Sequence, residues 1–86
     1  MRFEFDAIKS QANKAKHGID FEEAQSLWTD DNRFELPVMT THEARLLMIG
    51  TIDKKHWVAV ITYRSDVVRI ISVRRARDTE IACYEG

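Results

Sequence analysis

Apolar and polar residues alternate most regularly between residues 57 and 75, where two runs rich in β-branched side chains flank Ser65-Asp66. Two such runs joined by a polar pair are typical of a β-hairpin with a two-residue turn. We therefore expect antiparallel strands over residues 57–64 and 67–74. The predicted cross-strand pairs are Arg64 with Val67, Thr62 with Arg69, Val60 with Ile71, and Trp57 with Arg74.

A third strand, predicted over residues 45–52, is joined to this hairpin by the polar segment from Asp53 to His56. If that segment is a four-residue loop, Arg45 lies opposite Arg64. Arg45, Arg64 and Arg69 then converge at one end of one sheet face. Like charges placed opposite each other in a sheet are unfavourable, so such a cluster usually has an anionic partner. Solvent-exposed arginines paired with nearby acidic residues are the more common alternative.

The N-terminal half carries the signals of two helices. Asp6 suits the N-cap and Gly18 the C-terminal cap of a helix over residues 6–17. The apolar residues that repeat at helical spacing in this segment are Ile8, Ala12 and Ala15. A capping-box pattern starting at Asp20 predicts a second, short helix over residues 20–28. Its apolar residues are Phe21, Ala24, Leu27 and Trp28.

Three weaker patterns complete the chain. Residues 2–5 alternate and predict a short opening strand with Phe3 and Phe5 facing inward. Residues 33–39 alternate as well, and Pro37 restricts that strand to an edge or an end. Asp78 or Thr79 is expected to cap a final helix, with its core-facing residues at Ile81, Ala82 and Tyr84.

These elements predict a single α+β domain over residues 1–86. Two N-terminal helices should pack on one face of a twisted antiparallel sheet of about four strands, followed by a short C-terminal helix. A chain of 86 residues is long enough for one modest core and too short for two.

The net charge of −1 hides an uneven distribution along the chain. Residues 1–50 carry −3, residues 51–77 carry +5, and residues 78–86 carry −3. Because the positive charge is concentrated on the hairpin region, a localised basic surface is expected, as phosphate binding requires.

The remaining composition excludes several classes of chemistry. One cysteine, Cys83, allows neither an internal disulfide nor a cysteine-based zinc site, and the three histidines have no partner ligands at suitable spacing. We therefore expect no metal and no cofactor. With no apolar run long enough for a membrane span and no signal-peptide core, we expect a cytoplasmic protein.

Several motifs at fixed spacings suggest a family. They are FEFD at 3–6, KHG at 16–18, FEEA at 21–24, TYR at 62–64 and RIISVRRA at 69–76. Together they resemble the BrnT toxins of type II toxin–antitoxin pairs, which have a RelE-like fold. The combination covers almost the full length and is much more specific than any one motif.

The resemblance implies a metal-independent endoribonuclease that cleaves RNA to inhibit translation and growth. It also implies a cognate BrnA-like ribbon-helix-helix antitoxin, through which alone the toxin meets operator DNA. Arg64 and Arg69 would then stabilise the reacting phosphate. His17 would transfer protons, with Lys16 or Glu43 as alternatives. The residues expected to hold the substrate are Arg45, Lys16, Arg74 and Arg75.

A different class of protein is compatible with the same residues. A non-catalytic module could use the basic sheet face to hold RNA or an acidic protein segment. A purely structural partner subunit is a third alternative.

Overall fold

One mixed sheet of five strands forms the centre of the structure, a computed structural model that describes residues 1–38 and 44–86. The elements are β1 (Arg2–Glu4), α1 (Ala7–His17), a 3-10 helix (Glu23–Thr29), β2 (Phe34–Val38), β3 (Arg45–Ile52), β4 (Lys55–Arg64), β5 (Val67–Arg75) and α2 (Asp78–Glu85). The strand order is β1-β5-β4-β3-β2, and only β1 and β5 are parallel. The α+β class is confirmed. The expected antiparallel sheet of about four strands is wrong in two respects: the sheet has five strands and is mixed, because β1 joins its edge parallel to β5.

Two tight turns set the register of the three long strands. The predicted turn at Ser65-Asp66 is confirmed. The expected four-residue loop between β3 and β4 is wrong: it is a two-residue turn in which Asp53 and Lys54 have φ of 50° and 69°. Positive φ at both positions matches the twist of paired strands. The β3 register therefore shifts by two residues, and Arg45 comes opposite Thr62 instead of Arg64. A shift of two leaves each side chain on its predicted face.

A bulge changes the pairing of β4 with β5 in the half of the hairpin remote from its turn. Next to the turn, Thr62 pairs with Arg69, as predicted. The register then shifts between Val60 and Ile61. Beyond the shift Val60 pairs with Ser72, and Trp57 pairs with Arg75, so the two pairs expected there are wrong. An extra residue in one strand cannot be seen in the alternation of a short apolar run.

The main core lies between α1, the 3-10 helix and one sheet face, which we call the helix face. Its fully buried strand residues include Ala59, Ile61, Val68, Ile70 and Val73. The predicted inward direction of Phe3 and Phe5 is confirmed, since the Phe3 ring meets Trp28 at 4.9 Å and the Phe5 ring meets Phe21 at 5.7 Å.

The helix α1 begins and ends as the sequence predicts. The Asp6 side chain accepts hydrogen bonds from the backbone N–H groups of Ile8 and Lys9, and Gly18 has a left-handed φ of 83°. Its buried side is different from the expected one. Ile8 is 78% exposed, whereas Ser10 and Asn13 are buried.

Polar side chains thus dock α1 onto the sheet. Asn13 Nδ2 donates to the carbonyl oxygens of Ile19 and Val73, both at 2.9 Å, and Asn13 Oδ1 accepts from the Val73 N–H at 3.2 Å. The Ser10 hydroxyl accepts from the Phe21 N–H at 2.9 Å. β1 pairs with β5 only at residues 67–69, so Asn13 takes the place of a strand beside Val73. Buried backbone groups need such partners.

The second helical segment is a 3-10 helix, although its capping box is present as predicted. The Glu23 N–H donates to Asp20 Oδ1 at 2.7 Å, and the Asp20 N–H donates to Glu23 Oε1 at 3.0 Å. Phe21, Ala24 and Leu27 are all buried. Their spacing of three residues matches the three residues per turn of a 3-10 helix, in which such side chains share one face.

The face of the sheet opposite the helix face is partly covered by α2, which packs against β3. The Tyr84 ring stacks on Phe34 at 6.4 Å between centroids and meets His56 edge-on at 5.0 Å. The final helix is present, but the predicted cap at Asp78 or Thr79 is wrong, since Arg77 is the N-cap and Asp78 is already helical. Ala82 is exposed instead of core-facing. The alternation predicted for residues 33–39 is confirmed over β2, in which Phe34, Leu36 and Val38 share one face. Met39 lies outside the described residues.

Replacing Asn13 by alanine should destabilise the fold by about 3 kcal/mol or more. The change leaves three buried backbone groups without a hydrogen-bond partner: the N–H and carbonyl of Val73 and the carbonyl of Ile19. Each unsatisfied group costs roughly 1–3 kcal/mol. Alanine has the better helix propensity, so any loss arises from the missing hydrogen bonds. The measurement is the free energy of unfolding in urea.

The matched control is Gln11→Ala, a change at an exposed position of the same helix that should stay within about 0.5 kcal/mol of the parent. Equal stability of the two variants would contradict the role assigned to Asn13.

Candidate anion-binding site

Three of the predicted arginines lie together on the face opposite the helix face, close to the turn between β4 and β5. Thr62 pairs with Arg69 on β5, and the β3 register places Arg45 on the other side of Thr62. Arg64, two residues further along β4, points to the same face. The structure therefore brings Arg45, Arg64 and Arg69 to one surface, as expected from the sequence.

A buried threonine stands at the centre of this arrangement. Thr62 is 7% exposed, and its hydroxyl donates to the Ala44 carbonyl at 2.9 Å. This bond fixes the chain directly before Arg45. With neighbouring strands roughly 4.8 Å apart, the Cα atoms of Arg45 and Arg69 are about 10 Å apart, on either side of Thr62. Long arginine side chains on both sides can therefore converge on one anion.

The arginines differ in their partners. Arg69 is half-buried and lies 3.8 Å from Glu4 of β1, a long and partly solvated ion pair. Arg45 is half-buried and interacts within the protein. Arg64 is exposed, and within residues 1–38 and 44–86 no side chain forms a hydrogen bond or ion pair with it. Its guanidinium thus remains available to a ligand.

A fourth arginine near this turn could not be expected from the sequence. The parallel pairing of β1 places Arg2 next to Val67, which itself pairs with Arg64. Partners in register point to the same face, so Arg2 joins the arginines near the turn. Local alternation predicts the strand but not its neighbour, because β1 and β5 lie at opposite ends of the chain.

Arg74 binds α2 and does not join the arginines near the turn. It forms a double ion pair with Glu80 of α2 at 2.8 and 2.7 Å. The hydrogen bond from Arg74 lowers the pKa of Glu80 from 4.5 to about 2, against the opposing effect of burial. A further bond to Glu80, from the Arg77 N–H at 2.7 Å, closes the first turn of α2. Arg74 therefore anchors α2 to the sheet and is occupied.

Arg75 lies on the helix face, away from the other arginines. Its guanidinium lies 5.3 Å from the centre of the Trp57 ring, and its Nε donates to the His56 carbonyl at 3.3 Å. Cation–π stacking of this kind holds a side chain in place without neutralising its charge. The structure thus does not bring Arg75 to the surface that holds Arg64.

His17 and Lys16 lie at the opposite end of the molecule from Arg64. Gly18, the next residue, lines a cavity of about 180 Å³ together with Trp57 at the start of β4. The strand from Trp57 to Arg64 covers roughly 23 Å at about 3.3 Å per residue. His17 is therefore not brought to the arginines. Glu43, the other candidate for proton transfer, lies outside the described residues.

Sequence reasoning also missed a polar centre at Asp30. Asp30 Oδ2 accepts from the Tyr84 hydroxyl at 2.7 Å and from both the N–H and the hydroxyl of Thr51, at 2.8 and 2.9 Å. Burial works to raise the pKa of Asp30, but these bonds and one from Asn32 lower it to about 2. Asp30 thereby ties the end of the 3-10 helix to β3 and α2.

Gly50 allows the Asp30 carboxylate to lie this close to β3. A Cβ atom at Gly50 would lie 3.2 Å from both Asp30 Oδ2 and Leu27 Cδ2. A side chain there would have to displace the Asp30 carboxylate from Thr51, the residue after Gly50. No local pattern in the sequence shows this contact, because 20 positions separate Asp30 from Gly50.

Comparison with known proteins settles the family. The family model of the ribonuclease toxin BrnT, of type II toxin–antitoxin systems, matches residues 5–80 of the sequence. The chain belongs to the BrnT family. The match covers most of the 86 residues and contains the KHG, FEEA, TYR and RIISVRRA motifs in full. No curated protein sequence matches the chain.

None of the described helices of this BrnT family member is long and apolar enough to cross a membrane. Over residues 1–38 and 44–86, no three His, Cys, Asp or Glu side chains are grouped as a metal ion would need.

The attachment of α2 should weaken in acid because of Glu80. Its folded pKa of about 2 lies below the ordinary 4.5, so its contribution to stability is present above pH 4.5 and is lost as the pH falls towards 2. Glu80→Gln should therefore lose less stability than the parent between about pH 6 and about pH 3. The measurement is the free energy of unfolding at both pH values.

The exposed Glu22 provides the matched control, since Glu22→Gln should follow the parent. A pH dependence unchanged by Glu80→Gln would show that this ion pair does not stabilise the fold.

Proposed function

We propose that this BrnT family member is an endoribonuclease toxin that cleaves RNA and so stops translation and growth in the cytoplasm. The family is one of ribonuclease toxins, which gives the reaction class. The observation that carries the assignment to a site is the group formed by Arg45, Arg64 and Arg69 on one sheet face. Guanidinium groups match phosphate oxygens in charge and geometry.

The proposed reaction needs no residue to form a bond with RNA. The 2′-hydroxyl of one nucleotide attacks the adjacent phosphorus, and the bond to the 5′-oxygen of the next nucleotide breaks. The products are a 2′,3′-cyclic phosphate and a free 5′-hydroxyl, so one proton leaves the attacking oxygen and one reaches the leaving oxygen. Negative charge increases on the phosphate oxygens during the attack, and positioned donors lower the barrier.

Among the arginines, Arg64 is the one we propose to stabilise this charge. It is exposed, lies between its neighbours on β3 and β5, and has no ion-pair partner among the described residues. Arg45 and Arg69 flank it and are proposed to hold the substrate phosphate. The distance of His17 and Lys16 from Arg64 separates them from this chemistry, and an arginine remains protonated and cannot act as the base.

An antitoxin partner follows from the type II family. We propose that it is a BrnA-like ribbon-helix-helix protein that covers the arginine surface and connects the toxin to operator DNA. The half-buried apolar residues Leu36, Leu47 and Val60 lie on the same face, beside the arginines. A surface of this kind fits a segment that carries both acidic and apolar side chains.

A non-catalytic binding module is the alternative that the same surface allows. It would hold RNA or an acidic protein segment through the same arginines and would not change the RNA. The two functions differ in one observable, which is whether the parent chain converts RNA into shorter products.

Arg64→Ala should lower the rate of RNA cleavage by roughly 10²–10³, the usual effect of removing one donor to developing charge. The rate is measured in single turnover at saturating protein, with circular dichroism as the folding control. Because the arginines supply the charge stabilisation, cleavage should persist in excess EDTA. Arg77→Ala, which removes an exposed arginine at the start of α2, is the matched control and should leave the rate unchanged.

Two results would contradict this assignment in different ways. A folded Arg64→Ala protein that cleaves at the parent rate would eliminate Arg64 as a catalytic residue. A parent chain that binds RNA without cleaving it would favour the binding module.

The toxin should associate with its cognate antitoxin at a rate that falls as salt is added. Complementary charge speeds the encounter, and salt screens it. The association rate is measured by stopped-flow mixing over a series of salt concentrations. Failure of the two proteins to co-elute at low salt would refute the proposed partner, and a salt-independent rate would refute the role of the basic surface.

A further inference from the structure

We infer that Arg2 of β1 extends the phosphate-binding surface, so that the site takes a strand of RNA with successive phosphates and not a single nucleotide. This inference rests on the proposed function. It assigns a role to a residue at the far edge of the sheet and defines the length of substrate that the site requires.

The sheet register places Arg2 in a second row of the surface. The first row runs across the strands as Arg45, Thr62 and Arg69. The second row, closer to the turn, runs as Arg64, Val67 and Arg2. Both rows lie on the face opposite the helix face, and in each row one short uncharged residue separates two arginines. The arrangement follows from the parallel pairing of β1 with β5.

The dimensions of the two rows exceed the size of one phosphate. Four neighbouring strands, from β3 to β1, span about 14 Å at roughly 4.8 Å per strand gap. The rows themselves are two residues apart, or about 7 Å along the strand. One phosphate cannot contact arginines at both edges of such a surface. A single RNA strand presents a phosphate at every nucleotide and can occupy both rows.

The strand that carries Arg2 is held by its backbone pairing with β5 and by contacts on both of its faces. On the helix face, the Phe3 ring packs edge-on against Trp28 at 4.9 Å. On the arginine face, Glu4 lies 3.8 Å from Arg69. Arg2 itself is exposed, and no hydrogen bond or ion pair joins it to another described residue. Its position is therefore fixed while its charge remains available, which is the requirement for a phosphate contact.

Arg2 should contribute to binding and not to the chemical step. The reacting phosphate is proposed to lie among Arg45, Arg64 and Arg69. Arg2 is at the far edge of the sheet, three strand gaps or about 14 Å from Arg45 and a further row, about 7 Å, along the strands. A contact to a neighbouring phosphate is the same in the ground state and the transition state, so it lowers the concentration needed for binding without changing the maximal rate. Arg2 is thus a substrate-binding residue, distinguishable from Arg64 by kinetics.

The experiment measures the affinity of the whole chain for a 2′-O-methyl RNA oligonucleotide over a series of salt concentrations. The methyl group blocks attack by the 2′-oxygen, so binding is observed without cleavage. Each lost phosphate contact reduces the slope of log K against log salt by about 0.7 for a single strand. Arg2→Ala should show this reduction, and Arg2→Lys, which keeps the charge, should retain most of the parent slope.

Arg77→Ala is again the matched control, because it removes one exposed arginine at the other end of β5 and should leave the slope unchanged. In single-turnover cleavage of unmodified RNA, Arg2→Ala should raise the half-saturating protein concentration and keep the maximal rate. Circular dichroism establishes that each variant is folded. If Arg2→Ala alters the spectrum, Arg2→Gln replaces it. The slope of log K against log salt should then be reduced for Arg2→Gln and largely retained for Arg2→Lys.

The outcomes separate this inference from the proposed function. A parent chain that neither binds nor cleaves RNA would overturn the proposed function and this inference with it. A parent chain that does both, with a slope unaffected by Arg2→Ala or by Arg2→Gln, would overturn the role of Arg2 alone. Equal affinity of the parent for a mononucleotide and for the oligonucleotide would refute the extended substrate.

Discussion

The hydrogen bonds of the Asn13 side chain are the interaction on which the arrangement of the fold depends. β1 is too short to cover the edge of β5, so the backbone of Val73 would be left without partners. One amide supplies both a donor and an acceptor to Val73 and also binds the Ile19 carbonyl after α1. The same side chain therefore closes a sheet edge, docks a helix and fixes the start of the segment that leads to the 3-10 helix.

The edge of β5 has different partners in its two halves. In the half near the turn, β5 pairs with β1 and carries the half-buried Arg69 on the face opposite the helix face. In the other half, Asn13 occupies the edge, and Arg74 is committed to Glu80. Arginines that are close in the sequence thus have unrelated roles. The bulge next to Ile61 contributes to this division, because it changes which β5 residues face each side.

The family assignment and the geometry support different parts of the functional argument. Membership of the BrnT family gives a ribonuclease toxin and an antitoxin partner. The sheet register gives a surface, with an exposed Arg64 among arginines that are held by their strands. α2 carries no basic residue, so its attachment through Glu80 and Tyr84 supports the sheet and adds no positive charge beside the arginines.

Local rules in the sequence were sufficient for the strands, for both ends of α1 and for the capping box at Asp20. They were also sufficient to place Arg45, Arg64 and Arg69 on one face, because a register error of two residues does not change the face of a strand. Family motifs, which need only spacing, gave the family. These features depend on residues that are close in the chain or that obey a fixed period.

Tertiary structure alone decided the features that join distant parts of the chain. The period of α1 favoured Ile8 as a core residue, yet the backbone of Val73 required a polar partner and so buried Asn13. The parallel pairing of β1 brought Arg2 to the arginines. The separation of His17 from Arg64 likewise follows from how α1 lies on the sheet. None of these features has a local signal in the sequence. Each depends on residues that become neighbours only when the sheet has formed.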